Sequence, residues 1–142
     1  MKNQIKVTFL AIPENESFAR MVAAGFVATI DPTLEELSDV KTAISEAVTN
    51  AIIHGYEGME GMVTLYGQIN EKEVVFTVED TGRGIENVEK AMEPMYTTKP
   101  EQERSGMGFA FMEAFMDELK VDSHKGEGTT VTMKKRLGVN NK

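Results

Sequence analysis

Residues 77–85, TVEDTGRGI, place a carboxylate at the end of an alternating strand and follow it directly with glycines. Asp80 begins an Asp-Thr-Gly turn, and that turn accounts for Gly82 but not for Gly84. Two glycines so closely spaced allow the backbone to approach a bound group. The stretch therefore predicts either a plain turn, which is the commoner case, or one wall of a ligand site.

A second candidate lies in a predicted helix that ends near His54. Glu46, Asn50 and His54 are spaced four residues apart, so they share one helix face, opposite a stripe of apolar residues. Asn is a poor residue in a helix interior because its side chain competes for backbone hydrogen bonds. A carboxylate and an amide oxygen one turn apart suit a hard cation that keeps its waters, as Mg²⁺ does. The alternative is a solvated polar face.

The third candidate is the stretch EPMYTTKPEQERSGMGFAF, most of which follows neither a helical nor a strand period. Long unpatterned segments inside a compact domain are usually functional. Backbone N–H groups at a glycine-rich helix start bind phosphate, and basic side chains would add positive charge. A mobile surface loop is the alternative, and the spacing is not that of a P-loop. The candidate residues are Thr97, Thr98, Lys99, Arg104, Ser105, Gly106, Met107, Gly108 and Phe109.

The fourth candidate is the pair Thr129 and Thr130, which begins the last predicted strand after Gly126 and Gly128. Successive residues of a strand point to opposite faces, so only one of the two hydroxyls faces inward. A buried structural threonine and a ligand contact both remain open for that residue.

The hydrophobic pattern supplies the elements that must position these residues. It alternates strands and helices in the order strand, helix, helix, two strands, loop, helix, two strands, which predicts a two-layer α/β sandwich with a mixed sheet and helices on one face. The predicted strands are 4–12, 62–69, 74–80, 119–124 and 129–135. The predicted helices are 16–30, capped by Asn15, then 34–54, opened by a Thr33–Glu36 capping box, then 85–93 and 109–118.

Composition limits the function further. The chain has 142 residues, 41% of them hydrophobic, and we expect one domain over residues 1–142. It has no cysteine, which excludes disulfides and thiolate metal sites and fits a cytoplasmic protein. No apolar run approaches the ~20 residues of a membrane-spanning helix. A formal net charge of −8 argues against a nucleic-acid partner, and any anionic ligand must be held by local groups.

The order of these motifs is more specific than any one of them. It resembles the Bergerat ATP-binding fold of gyrase, histidine kinases and MutL, with EAVTNAIIHG similar to the N box, DTGRGI to the first glycine box, GMG to the second and GTT to the closing threonine. NESFAR, SEAVTNAIIHGYE and TTKPEQERSGMGF further resemble the sporulation anti-sigma-F serine kinases. The general-stress anti-sigma kinases are the nearest relatives of that family, and the resemblance covers nearly the whole chain.

The resemblance implies ATP, ADP and Mg²⁺ as ligands. It assigns Asn50 to Mg²⁺ between the ATP phosphates, and Glu46 to the role of general base for an attacking serine hydroxyl. Residues 95–108 would be the ATP lid, in which Lys99, Arg104 and the backbone amides around residues 106–109 hold phosphates.

At the other end of the nucleotide, the resemblance assigns Asp80 to a hydrogen bond from the adenine amino group. Gly82 and Gly84 would keep the backbone clear of the base. Thr129 would support the adenine contact, with Thr130 as the choice in another register.

The same resemblance implies a sigma factor of the sigma-F type as the inhibited partner, an anti-anti-sigma protein as the serine substrate, and a homodimer. The first helix, near Phe18 and Arg20, is a candidate partner surface. Two other functions compete with this hypothesis. The chain could be an ATP-regulated binding module without phosphotransfer, or an ATPase fragment of a larger machine. No phosphohistidine helix precedes the domain, so a two-component sensor is not expected. His54 and His124 are expected to be structural, and the alternative for His54 is a place near the phosphates.

Overall fold

The structure is a computed structural model, and it describes residues 1–56, 60–82 and 108–138. Its strands are β1 (Lys2–Leu10), β2 (Met62–Asn70), β3 (Glu73–Asp80), β4 (Glu118–His124) and β5 (Gly128–Arg136). Its helices are α1 (Glu14–Ala28), α2 (Leu34–Asn50) and α3 (Gly108–Phe115), and a π-helical turn, Ala51–Gly55, continues α2. The predicted helix at 85–93 lies outside the described residues.

The five strands form one sheet in the order β1-β2-β3-β5-β4. The predicted two-layer α/β sandwich is confirmed, but the expectation of a mixed sheet is wrong for the described strands, because every neighbouring pair is antiparallel. Helices α1 and α2 connect β1 to β2, and these two strands pair antiparallel. β3 and β4 run in the same direction, but β5 lies between them and is antiparallel to both.

The hydrophobic core lies between the sheet and the helices. Helix α2 packs against α1 on one side and α3 on the other, which makes it the central helix of its layer. The predicted apolar stripe of this helix is fully or almost fully buried and consists of Val40, Ile44, Ala47, Val48, Ala51 and Ile52. Burial of one large apolar side chain contributes about 1.5–3 kcal/mol, so this stripe anchors α2 to the sheet.

The predicted start of α2 is confirmed, and the predicted start of α1 is wrong. Thr33 and Glu36 form a reciprocal capping box, with hydrogen bonds of 2.9 and 3.0 Å. Helix α1 begins at Glu14, and Pro13 occupies the N-cap position, where the missing N–H removes no hydrogen bond of the helix. Asn15 caps nothing; its amide donates to the carbonyl of Leu10 and fixes α1 to the end of β1.

Helix α3 ends three residues earlier than predicted, at Phe115. The side chain of Lys135 in β5 donates to the Phe115 carbonyl at 2.9 Å, which satisfies one of the acceptors that a helix leaves open at its end. The same ammonium lies 3.7 Å from the carboxylate of Asp39 in α2. Lys135 therefore joins the sheet to two helices.

Candidate functional site

Asp80 is the last residue of β3 and lies beside Val63 of β2 and Thr129 of β5 in the sheet register. Its side chain is buried, with 4% of its surface exposed. Burial raises the pKa of the Asp80 carboxyl, and hydrogen bonds from the backbone amides of Gly82 and Thr129 oppose this shift. A buried carboxylate at the end of a strand is costly for stability, which is typical of a residue kept for binding.

The plain turn predicted for this stretch is also present. The amide of Gly82 donates to Oδ1 of Asp80 at 2.9 Å, which is the hydrogen bond of an Asx turn. One function of Asp80 is therefore to close this turn. The role of Asp80 toward a ligand remains a prediction, and so does the role of Gly82. Gly84 lies outside the described residues, and its role also remains a prediction.

The register separates the two candidate threonines. Thr129 lies opposite Asp80 and is buried, whereas Thr130 lies opposite Glu79 and points to the other face of the sheet. The hydroxyl of Thr129 is 2.7 Å from that of Ser123 in β4, and Ser123 donates to the Gly128 carbonyl at 2.9 Å. In that arrangement Thr129 is the donor to Ser123, so its oxygen remains available as an acceptor. The geometry favours Thr129 over Thr130 as the residue next to a ligand.

Ser123 joins the candidate site through Thr129, and none of the sequence motifs includes it. Its position beside Thr129 follows from the β4–β5 hairpin register, in which Gly126 has a φ of +82° in the connecting turn. A four-residue KGEG loop would pair His124 with Thr129, but the observed register pairs His124 with Gly128 and so places Ser123 opposite Thr129.

Gly128 makes the close packing at the end of β3 possible. Its φ is +89°, and a Cβ at this position would lie 2.6 Å from Cα of Thr81 and even closer to the Asp80 carbonyl oxygen. Any side chain there would displace the backbone of β3 at Asp80, so the glycine is required by both conformation and space. The start of β5 therefore confines the Asp80–Thr81 backbone from one side.

Glu46 and Asn50 lie one turn apart in the C-terminal half of α2, and both are half-buried. The helix surface beside them carries the buried polar residues Ser45 and Thr49. The role of Glu46 and Asn50 in a ligand site stays a prediction. Ser45 donates to the carboxylate of Glu16 in α1. Polar side chains thus continue from α1 into the centre of the helix layer.

The helix changes its winding directly after Asn50. The π-helical turn Ala51–Gly55 contacts both β3 and β5, the strands that carry Asp80 and Thr129. Single π-helical turns within α-helices occur frequently at functional sites. The α-helical spacing that placed His54 on one face with Glu46 and Asn50 does not extend past Asn50.

No self-sufficient metal site exists in the described part of the chain, where no three acidic or histidine side chains form a cluster that could hold a metal ion. A cation beside Asn50 would need phosphate oxygens and water for its other ligands. Mg²⁺ is usually bound in this way, through one or two protein oxygens together with substrate phosphates. The amide oxygen of Asn50 therefore fits Mg²⁺ that arrives with a nucleotide.

Most of the predicted phosphate-binding segment lies outside the described residues. Gly108 begins α3, and Phe109 is buried against the core, so these two residues lie at the start of a helix as predicted. Their role in binding phosphate remains a prediction. The other members lie outside the described residues and are Thr97, Thr98, Lys99, Arg104, Ser105, Gly106 and Met107.

A comparison with known families identifies the class of protein to which this domain belongs. Residues 9–135 match the family described as the histidine kinase-like ATPase domain. This match covers most of the chain, and it fits the antiparallel sheet with its helix layer and the polar site at the end of α2. The fold and the site define a histidine kinase-like ATPase domain.

Curated relatives narrow the class. The anti-sigma F factor of Clostridium acetobutylicum is 57% identical over 98% of this chain and 97% of its own length. The anti-sigma F factor of Clostridium perfringens is 58% identical over 96% of this chain and 99% of its own length. The chain belongs to the anti-sigma F factor family, and the resemblance that the motifs indicated is confirmed.

Solved structures share the fold. The RsbU and RsbW domains of a Mycobacterium tuberculosis protein match with a TM-score of 0.69 at 24% identity, over 95% of this chain and 32% of that longer chain. The catalytic domain of the histidine kinase ThkA matches with a TM-score of 0.53 at 14% identity, over 94% of this chain and 96% of that domain. Within the part of this chain that the structure describes, no helix is both long and apolar enough to cross a membrane.

Proposed function

We propose that this protein is an ATP-dependent serine kinase and anti-sigma factor of the cytoplasm. It binds and inhibits a sigma factor of the sigma-F type, and it phosphorylates and so inactivates an anti-anti-sigma protein. The observation that carries the proposal is the buried pair Asp80–Thr129 beside the polar end of α2, in a chain 57% identical to an anti-sigma F factor. A nucleotide that spans these two places would have its base at the sheet and its phosphates at the helix.

The base end is formed by the inner face of β3 and β5. In the proposed complex, the carboxylate of Asp80 accepts a hydrogen bond from the amino group of adenine. The Thr129 hydroxyl lies next to it and adds a second polar contact to the base. Both side chains are buried before any ligand arrives, so little side-chain entropy is lost on binding.

The phosphate end is formed by α2. Asn50 would hold Mg²⁺, which neutralises charge on the phosphates when it is bound. Glu46 accepts the proton of the substrate serine as the serine oxygen bonds to the terminal phosphorus and the bond to ADP breaks. A carboxylate half-buried on a rigid helix is suited to this because its position is fixed before the substrate arrives.

The proposed partners are two proteins and a second copy of the chain. Helix α1 offers a surface for one of them, because Phe18 is 48% exposed and Met21 is 63% exposed on this helix. Arg20, two residues after Phe18 and so on another side of the helix, forms an ion pair with Glu16 at 3.5 Å. Exposed large apolar side chains grouped on one helix are typical of a surface that binds another protein.

A phosphotransfer assay tests the enzyme activity. The protein is incubated with ATP labelled on its terminal phosphate and with an anti-anti-sigma protein, and a variant of that partner without its acceptor serine is the control. We expect label in phosphoserine of the native partner only. Binding without any transfer would support a regulated binding module in place of a kinase.

A pull-down tests the choice of partner. The immobilised chain is offered a sigma factor and an anti-anti-sigma protein together, in ADP and in ATP. We expect the nucleotide to change which of the two proteins is retained. Retention of the same partner in both nucleotides would refute regulation by ATP, and preference for a general-stress sigma factor would reassign the pathway.

A further inference from the structure

Tyr56 follows the π-helical turn and connects three parts of the site through one hydroxyl. The hydroxyl donates to the Met62 carbonyl at 2.6 Å and accepts from the backbone amide of Thr81 at 2.9 Å. It also lies 3.3 Å from Oγ1 of Thr81. The end of the α2 helix, the start of β2 and the residue directly after Asp80 are therefore joined by hydrogen bonds to a single side chain.

The Tyr56 ring is held in a fixed place. Only 8% of the residue is exposed, and the ring packs directly over Gly61. A Cβ at Gly61 would lie 2.5 Å from Cδ1 of the ring, which is closer than any real Cβ contact. The ring fills the space of the missing side chain, and the hydroxyl is thereby aimed at the β3 end.

The backbone at Asp80 and Thr81 is confined from two directions. Gly128 of β5 lies against it on one side, and the Tyr56 hydroxyl bonds to the Thr81 amide. The Asp80 carboxylate closes the turn internally by accepting from Gly82. Of these three constraints, the hydroxyl of Tyr56 is the one that comes from the helix layer.

We propose that Tyr56 is a positioning residue that sets the selectivity of the site for 6-aminopurine nucleotides. This inference rests on the proposed role of Asp80 as acceptor for the adenine amino group. Tyr56 holds the backbone next to Asp80 in place, so that the Asp80 carboxylate lies within hydrogen-bond distance of the adenine amino group. Because the ring sits at the end of the helix that carries Asn50 and Glu46, it also fixes the spacing between the base end and the phosphate end.

The test compares two ligands on each variant. Calorimetry measures the affinity for ATP and for purine riboside triphosphate, which lacks the 6-amino group, and the ratio of the two affinities is the readout. Tyr56→Phe keeps the ring and removes the hydroxyl. Tyr66→Phe is the matched control, because the hydroxyl of Tyr66 lies 3.5 Å from Glu79 on the opposite face of the sheet. We expect the ratio to fall about five- to tenfold in Tyr56→Phe and to stay at the parent value in the control.

Other outcomes separate this inference from the proposed function. A parent protein that binds both ligands equally would refute the role of Asp80 itself. A parent that prefers ATP, together with an unchanged ratio in Tyr56→Phe, would overturn the role of Tyr56 alone. The ratio is taken on one sample, so a smaller folded fraction does not move it.

A second variant and a second measurement guard against misfolding. Gly61→Ala keeps the hydroxyl on the Tyr56 side chain but displaces the ring and the hydroxyl with it, and we expect the same loss of selectivity. Amide hydrogen exchange on the parent protein needs no variant at all. We expect the Thr81 amide to exchange slowly, and fast exchange at this amide in the folded protein would overturn the proposal.

Discussion

Asp80 and Thr129 are direct neighbours across the β3–β5 pair, and both side chains are buried on the helix side of the sheet, each with 4% of its surface exposed. The pair places a carboxylate and a hydroxyl side by side at the point that the end of α2 approaches. Such a pair has a cost for folding, since the carboxyl group must leave water. The cost is consistent with a site that is maintained for a ligand.

The first prediction concerns the pH dependence of the protein without nucleotide. Burial raises the pKa of Asp80 in the folded state above its value in the unfolded chain. The folded state therefore holds this proton more tightly, and stability falls as pH rises through the raised pKa. Relative to Asp80→Asn, which does not ionise, the parent should lose stability between acidic and neutral pH. Denaturant unfolding of both proteins at several pH values measures this difference, and a difference that does not vary with pH would contradict it.

The second prediction uses the two adjacent threonines as a matched pair. Thr129→Val removes a buried hydroxyl next to Asp80, whereas Thr130→Val removes a half-buried hydroxyl on the opposite face. One net hydrogen bond contributes about 1 kcal/mol, so ATP affinity should fall about fivefold in the first variant. The second should bind as the parent does. Titration of both variants with ATP tests this difference. Equal losses of ATP affinity in the two variants would show that the strand register does not determine which threonine contacts the base.

Local sequence patterns predicted the parts of this fold that depend on neighbouring residues. The capping box at Thr33 and Glu36, the strands predicted at 62–69 and 74–80 and the apolar stripe of α2 all rest on spacings between nearby residues, and all are confirmed. The start of α1 was misplaced because Asn15 finds its hydrogen-bond partner in β1 and not in its own helix.

Long-range features could not be predicted in the same way. The position of β5 between β3 and β4 depends on packing of the whole sheet, and it decides that Thr129 lies beside Asp80. The π-helical turn after Asn50 has no pattern of its own, because it forms where the helix meets the sheet. The contact of Tyr56 with Thr81 joins residues 25 positions apart. The site motifs were recognisable, but their geometry required the fold.

The third prediction tests the metal role of Asn50. Asn50→Ala should weaken nucleotide binding in the presence of Mg²⁺ and change it little in its absence. The helix should remain intact, because Ala is the stronger helix former by up to about 0.7 kcal/mol. Calorimetry with Mg²⁺ and with a chelator separates the two conditions. Equal losses in both would point to a damaged fold and would refute a metal role.

The last prediction concerns Glu46 as the general base. Glu46→Gln preserves the size of the side chain and its place on α2 but removes its ability to take a proton. A general base contributes about 10²–10⁴-fold to rate, so phosphotransfer to the serine substrate should fall by that factor. ATP affinity should remain close to that of the parent, because the substitution leaves Asp80 and Asn50 in place.

Glu35→Gln, an exposed position in the first turn of the same helix, is the control and should transfer phosphate at the parent rate. Single-turnover measurements on the three proteins isolate the chemical step from product release. Transfer by Glu46→Gln at the parent rate would remove Glu46 from the mechanism, and a parallel loss of ATP binding would indicate that its carboxylate supports the phosphate end of the site and not the proton transfer.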